Sequence, residues 1–152
     1  MKGTDKRRWR IFGAAAALAL ILPAVPAFGG QWEQDSGGAW YYEENGERAV
    51  GWTKIDGKWY ALDEETGVWI ERPALTEEAA CYLLENYLAD AGLYQNEDEE
   101  VYCRVDYVSR EGYTISAGYE EKPGLFRTLN TYEVNVKNRT AKALVGGNTI
   151  SL

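Results

Sequence analysis

The sequence contains no histidine, and only two of its 152 residues are cysteine. Without histidine there is no Ser-His or Cys-His nucleophile pair and no histidine-ligated metal. Two cysteines alone fall short of the four ligands that a structural zinc site takes. We therefore expect no catalytic residue, no metal and no cofactor, and we predict that the protein is not an enzyme.

Paired carboxylates remain as a catalytic alternative, because two acids can together cleave a glycosidic bond. Neighbouring glutamates occur at 43–44, 64–65 and 120–121. Adjacent residues on a strand point to opposite faces, so such a pair cannot flank one bond. A polysaccharide-cleaving enzyme that uses carboxylates alone is therefore the least favoured function.

The sequence also lacks an apolar run of comfortable length for a membrane span. Its apolar run at Ile11–Leu22 is shorter than the ~20 residues that a spanning helix needs. Basic residues precede this run, and a proline and small residues follow it up to Ala27. This order is typical of a secretory signal peptide, so residues 1–27 are predicted to be cleaved after Ala27. Cleavage two residues later and an uncleaved N-terminal anchor stay open.

Basic residues are in the minority, with 16 Lys and Arg against 24 Asp and Glu. Removal of residues 1–27, which carry five basic residues and one acidic residue, changes the formal net charge from −8 to −12. Such a protein is repelled by phosphate-rich polymers and anionic lipid. We expect a secreted protein without a nucleic-acid partner, and without membrane contact after cleavage.

Aromatic residues are abundant, and they recur in two similar segments. Gly51–Leu62 has the pattern of a β-hairpin, because Asp56-Gly57 tolerates the positive φ angles of a type I′ turn. Gly30–Tyr42 follows the same plan, and Trp32 and Trp52 lie 20 residues apart. A period of about 20 residues predicts that 28–72 is a short all-β solenoid of two hairpin repeats.

The second segment has the spacing G-W-x4-G-x-W-Y, and the first follows it with one extra residue before its second tryptophan. This spacing resembles the choline-binding or cell-wall-binding repeat of Gram-positive surface proteins. The resemblance implies a cage of aromatic faces between the two hairpins, which would attract a quaternary ammonium group. Carried onto this sequence, the cage consists of Trp40, Tyr41, Trp52, Trp59 and Tyr60. The alternative is that these rings only form the apolar core of two stacked hairpins.

Residues 73–152 have the pattern of a small α+β domain. Thr76 is a helix N-cap, apolar residues recur at helical spacing from Ala80 to Ala91, and Gly92 is a stop signal. Four antiparallel strands are predicted around 101–107, 113–119, 132–136 and 141–145. This order of elements loosely resembles small PepSY-like or cystatin-like secreted modules.

The two cysteines fall on different elements of this domain. Cys81 lies at the flank of the helix's apolar face, and Cys103 lies on the inward face of the first strand. A disulfide between them would close a loop of about 20 residues and stabilise the domain by roughly 3 kcal/mol. Two reduced, buried cysteines are the alternative.

Two functional hypotheses follow. In the first, a secreted, non-catalytic protein binds a cell-wall polymer or a choline-like ligand through its hairpin repeats, and its α+β domain is displayed or binds a protein partner. In the second, the α+β domain is itself an interaction or inhibitor module, and the hairpins are its structural stalk.

Overall fold

The computed structural model describes residues 29–94 and 99–152, so the predicted signal peptide lies outside the described residues. The described part contains one α-helix and three antiparallel sheets. The predicted α+β organisation of the C-terminal part is confirmed at this level. The two aromatic segments form separate small sheets.

The first aromatic segment is a three-stranded meander. Its strands are β1 (Gln31–Gln34), β2 (Trp40–Glu44) and β3 (Glu47–Arg48). Asp35 holds the first turn, because its Oδ1 accepts from the N–H groups of Gly37 and Ala39. The second turn, Asn45-Gly46, has φ angles of 56° and 80°, as a type I′ turn requires. The sequence predicted only one hairpin here, because β3 is too short to give a pattern.

The second aromatic segment is the predicted hairpin. It consists of β4 (Gly51–Ile55) and β5 (Lys58–Leu62). Asp56 and Gly57 form the turn with φ angles of 49° and 83°, which confirms the type I′ prediction. A single bridge between Leu62 and Trp69 adds a further extended segment.

The two hairpin units follow each other in the sequence, and a backbone hydrogen bond joins them in the structure. The Trp69 N–H donates to the Trp40 carbonyl at 2.8 Å. Gly67 also lies close to the first unit, since a Cβ built on it would stand 2.9 Å from the Ala49 carbonyl oxygen. The turn that ends at Gly67 therefore packs directly on the segment that links the two units.

The helix α1 (Glu77–Asp90) has the predicted bounds within two residues. Thr76 is its N-cap and accepts from the Ala79 N–H at 3.2 Å. Two glutamates occupy the first turn, where the helix dipole favours negative charge. The helix ends at Ala91, and Gly92 follows with a positive φ of 63°. Within the described ranges, no helix is both long and apolar enough to span a membrane.

The largest sheet is a meander of five strands in the order β10-β9-β8-β7-β6. Its strands are β6 (Tyr102–Val108), β7 (Gly112–Lys122), β8 (Leu125–Asn135), β9 (Thr140–Ala143) and β10 (Thr149–Ser151). Four of them correspond to the predicted strands, although β7 and β8 are longer than predicted. The short edge strand β10 was not predicted from the sequence.

The core lies between α1 and one face of this sheet. Leu84 and Ile115 are completely buried at its centre. Cys81 on the helix and Cys103 on β6 are both buried in the same core as free thiols. Of the two cysteine states that the sequence leaves open, the structure contains the reduced one.

Candidate functional site: the aromatic hairpin units

Trp59, one of the predicted cage residues, is the contact point between the second hairpin and the helix. Its backbone N–H donates to Asn86 Oδ1 at 2.7 Å, and Asn86 Nδ2 donates to its carbonyl at 2.8 Å. Its indole Nε1 donates to Glu85 Oε2 at 2.6 Å. Its ring stacks on Tyr82, with centroids 4.0 Å apart and planes at 27°. Trp59 is therefore fixed on α1 by polar and aromatic contacts together.

Trp52 lies on the same face of the hairpin as Trp59 and also contacts the helix. Its ring contacts Tyr82 with centroids 5.1 Å apart. Trp52 also lines an open groove of about 490 Å³ between the second hairpin and the start of α1. The charged side chains in the lining of this groove are all carboxylates: Asp63, Glu64, Glu65 and Glu78. A ligand in this groove would meet an indole face in an acidic setting, which favours a cation over an anion.

Tyr60 points away from the helix, toward the first unit. Its ring contacts Trp32 with centroids 5.0 Å apart. Trp32 also contacts Tyr42, at 5.4 Å, and Trp69, at 6.2 Å. These four rings, Trp32, Tyr42, Tyr60 and Trp69, form what we call the seam cluster. It joins the two hairpin units, and Trp32 is its centre.

Trp40 lies at the border of the seam cluster, whereas Tyr41 does not. Trp40 is two residues from Tyr42 on β2, on the same face of the sheet, and it is 40% exposed. Tyr41 lies on the opposite face and is buried. The Arg48 guanidinium lies 3.9 Å from the centre of the Tyr41 ring, and the Tyr41 hydroxyl donates to Asp35 Oδ2 at 3.0 Å.

The five residues assigned to one cage therefore lie in three places. Trp52 and Trp59 contact the helix, Trp40 and Tyr60 lie at the seam, and Tyr41 is enclosed within the first sheet. The reason is strand geometry: neighbours such as Trp40 and Tyr41, or Trp59 and Tyr60, project to opposite faces. The resemblance placed both members of each pair in one cage, which a strand does not allow.

The cage predicted from the sequence did not include three members of the seam cluster: Trp32, Tyr42 and Trp69. A usable signal was present in the two-residue period. Because the residues of β2 alternate in direction, Tyr42 must share a face with Trp40, and the hairpin register places Trp32 opposite Tyr42. Trp69 gave no comparable signal, because its position depends on the turn that ends at Gly67.

Several ionisable groups near these rings have pKa values that are shifted from their ordinary ones. Burial raises the pKa of Glu85. The backbone N–H of Cys103 and the indole N–H of Trp59 donate to its carboxylate and oppose that rise. Hydrogen bonds from the Ala39 N–H and the Tyr41 hydroxyl lower the pKa of Asp35. The same bond to Asp35 raises the pKa of the Tyr41 hydroxyl. Both carboxylates thus accept hydrogen bonds that hold an aromatic residue in place.

Metal ligands are not grouped around these rings. Within residues 29–94 and 99–152, no cluster of three or more Cys, Asp or Glu side chains could hold a metal ion. Comparisons of the chain with protein-family models, with curated proteins and with solved structures found no match.

Proposed function

We propose that the protein is a secreted, non-catalytic binding protein of the cell surface that holds a wall polymer or a choline-like group through its aromatic hairpin units. The observation that carries this proposal is the seam cluster with Trp40 at its border. Four rings from two consecutive units meet there, and an exposed indole lies beside them. The two-unit repeat read from the sequence is part of the same proposal.

The ligand lies against the outside of the seam cluster and not within it. Ring centroids 5.0 to 6.2 Å apart belong to rings in direct contact, and such rings leave no space for a guest between them. The open position is beside Trp40. An indole face there can bind an ammonium group through the ring quadrupole, or an apolar face of a sugar ring through contact.

Wall attachment is tested with the purified protein and cell walls of Gram-positive bacteria, prepared with and without choline. The informative variant is Trp40→Ala, because Trp40 is the exposed indole at the border of the seam cluster. The matched control is Tyr102→Ala, which removes a partly exposed ring from the remote β6. We expect the wild type and the Tyr102→Ala variant to sediment with walls, and the Trp40→Ala variant to stay in the supernatant.

The two wall preparations separate the two ligand classes. Sedimentation only with choline-containing walls identifies the choline group, and sedimentation with both identifies the polysaccharide. A wild-type protein that sediments with neither preparation, or a Trp40→Ala variant that sediments as well as the wild type, would contradict the proposal.

A second candidate function is the interaction or inhibitor module with the hairpins as its structural support. The contacts of the second hairpin with α1 favour this function. Two of the predicted cage residues, Trp52 and Trp59, pack there against the helix and are used for internal contacts. Wall sedimentation of the Trp40→Ala variant equal to that of the wild type would favour this function over the first.

A further inference from the structure

A polar groove crosses the outer face of the five-stranded sheet, on the side away from α1. The strand register places one residue of each strand in a continuous row: Tyr107, Thr114, Glu133, Lys142 and Thr149. All five line a cavity of about 530 Å³. We propose that this groove is a second binding site, which takes a neutral polysaccharide chain along the row.

The dimensions favour an extended ligand. The row spans all five strands, and four inter-strand spacings of roughly 4.8 Å give a length of about 19 Å. A small molecule would occupy only part of such a groove. Several linked sugar rings would fill it and would meet a different strand at each ring.

The chemistry of the lining favours hydroxyl groups as partners. Threonine hydroxyls both donate and accept, the Glu133 carboxylate accepts, and the Lys142 ammonium donates. Within the described residues, the side chains of Tyr107, Thr114, Glu133 and Lys142 have no hydrogen-bond or ion-pair partner. Their capacity for hydrogen bonds is therefore open to a ligand whose hydroxyls also donate and accept.

Tyr107 supplies the apolar surface that a sugar ring needs. It is 65% exposed at the β6 end of the row, so its ring is available for contact with a ligand. Gly112 lies beside the row, and a Cβ there would collide with the Val134 carbonyl. This close approach of β7 and β8 shapes the groove next to Thr114.

Other ligand classes fit this groove less well. Charged lining residues of both signs, Glu111 and Glu133 against Lys142, give no net attraction for a polyanion, and the protein as a whole is acidic. A peptide strand usually adds to the free edge of a sheet, because its affinity comes from main-chain hydrogen bonds. Inside this sheet the backbone groups are already used in the ladder.

This site is independent of the seam cluster, so the two proposals can fail separately. The test uses the purified protein and three neutral hexasaccharides, composed of β-linked N-acetylglucosamine, β-linked glucose and α-linked glucose. Binding is followed by the chemical shifts of backbone amides. We expect at least one hexasaccharide to shift amides of β6 to β10 along the row. Its affinity should be equal at low and high salt, because the ligand is uncharged.

Two variants keep the test specific. Tyr107→Ala and Thr114→Val each remove one contact without creating a core cavity, and each should weaken binding about tenfold. The control Tyr102→Ala, on the same strand but outside the groove, should bind within about twofold of the wild type. The inference is overturned if none of the hexasaccharides shifts these amides, or if both variants bind like the wild type. Shifts confined to residues 30–70 would overturn it as well, while supporting the seam proposal.

Discussion

The side-chain amide of Asn86 pairs with both backbone groups of Trp59, at 2.7 Å and 2.8 Å. A neighbouring strand would make the same two bonds. The helix therefore covers a free edge of the second hairpin, which would otherwise be open to pairing with another chain. Through this pair the aromatic hairpin and the α+β domain are linked into one packed structure.

The Asn86 contact predicts a specific loss of stability. Asn86→Ala removes two partly buried hydrogen bonds, and we expect the free energy of unfolding to fall by about 1–3 kcal/mol. The measurement is denaturant unfolding followed by tryptophan fluorescence. Asp90→Ala is the matched control, because it breaks only the exposed ion pair with Lys58 and should leave the free energy of unfolding closer to that of the wild type. Equal stability of the Asn86→Ala variant and the wild type would contradict the assigned role.

The indole N–H of Trp59 gives a second prediction. Trp59→Phe keeps a ring against Tyr82 but removes the donor to the Glu85 carboxylate, which then loses one charge-assisted hydrogen bond. We expect a loss of about 1.5–3 kcal/mol in unfolding free energy. Trp40→Phe, an equivalent change at an exposed indole, should change stability by no more than about 0.5 kcal/mol. Similar losses in both variants would show that the Glu85 bond is not the cause.

Glu85 also predicts a pH dependence of stability. Burial raises its pKa in the folded protein, so the folded state binds the proton more tightly than the unfolded state. Its contribution to stability is therefore largest below the ordinary pKa of a glutamate and declines as the pH rises through the raised value. We expect the difference in unfolding free energy, wild type minus Glu85→Gln, to decline over that range. Asp35 and Asp63, whose pKa values are lowered, contribute the opposite slope but cancel in the difference. A difference that rises or stays constant with pH would contradict this account.

The two thiols should be slow to react in the folded protein. Burial raises the pKa of Cys81 to about 12 and raises that of Cys103 as well, so little thiolate is present at neutral pH. We expect a thiol-specific dye to label neither cysteine in the native protein and both in denaturant. A Ser36→Cys variant, with its added thiol in an exposed turn, should label at once. Rapid labelling of the native wild type would contradict the buried state, and labelling in denaturant only after reduction would show the disulfide form.

Local sequence signals were enough for much of the fold. Asp56-Gly57 defined the second hairpin, because few dipeptides accept two positive φ angles. Thr76 defined the helix start, because it satisfies a free N–H at the first turn. The alternation of apolar and polar residues defined the inward face of the large sheet. The strands that were missed, β3 and β10, are two and three residues long and are too short to show a period.

The arrangement of the aromatic rings could not be predicted in the same way. It depends on contacts between units, such as the bond from Trp69 to Trp40, which no local pattern encodes. Docking of the hairpin on α1 depends on Glu85 and Asn86, two polar residues beside the helix's apolar face. Polar residues at such positions are usually solvated, so no local signal connects them with Trp59.

The most direct test of the proposed function follows the indole N–H signals of the protein during titration with choline and, separately, with soluble wall polysaccharide. The account predicts that at least one of these ligands shifts the signals of Trp40 and Trp32, whereas the signal of Trp59, bonded to Glu85, stays in place. If both ligands leave the signals of Trp40 and Trp32 unchanged, or if Trp59 alone responds, the seam cluster is not the binding site.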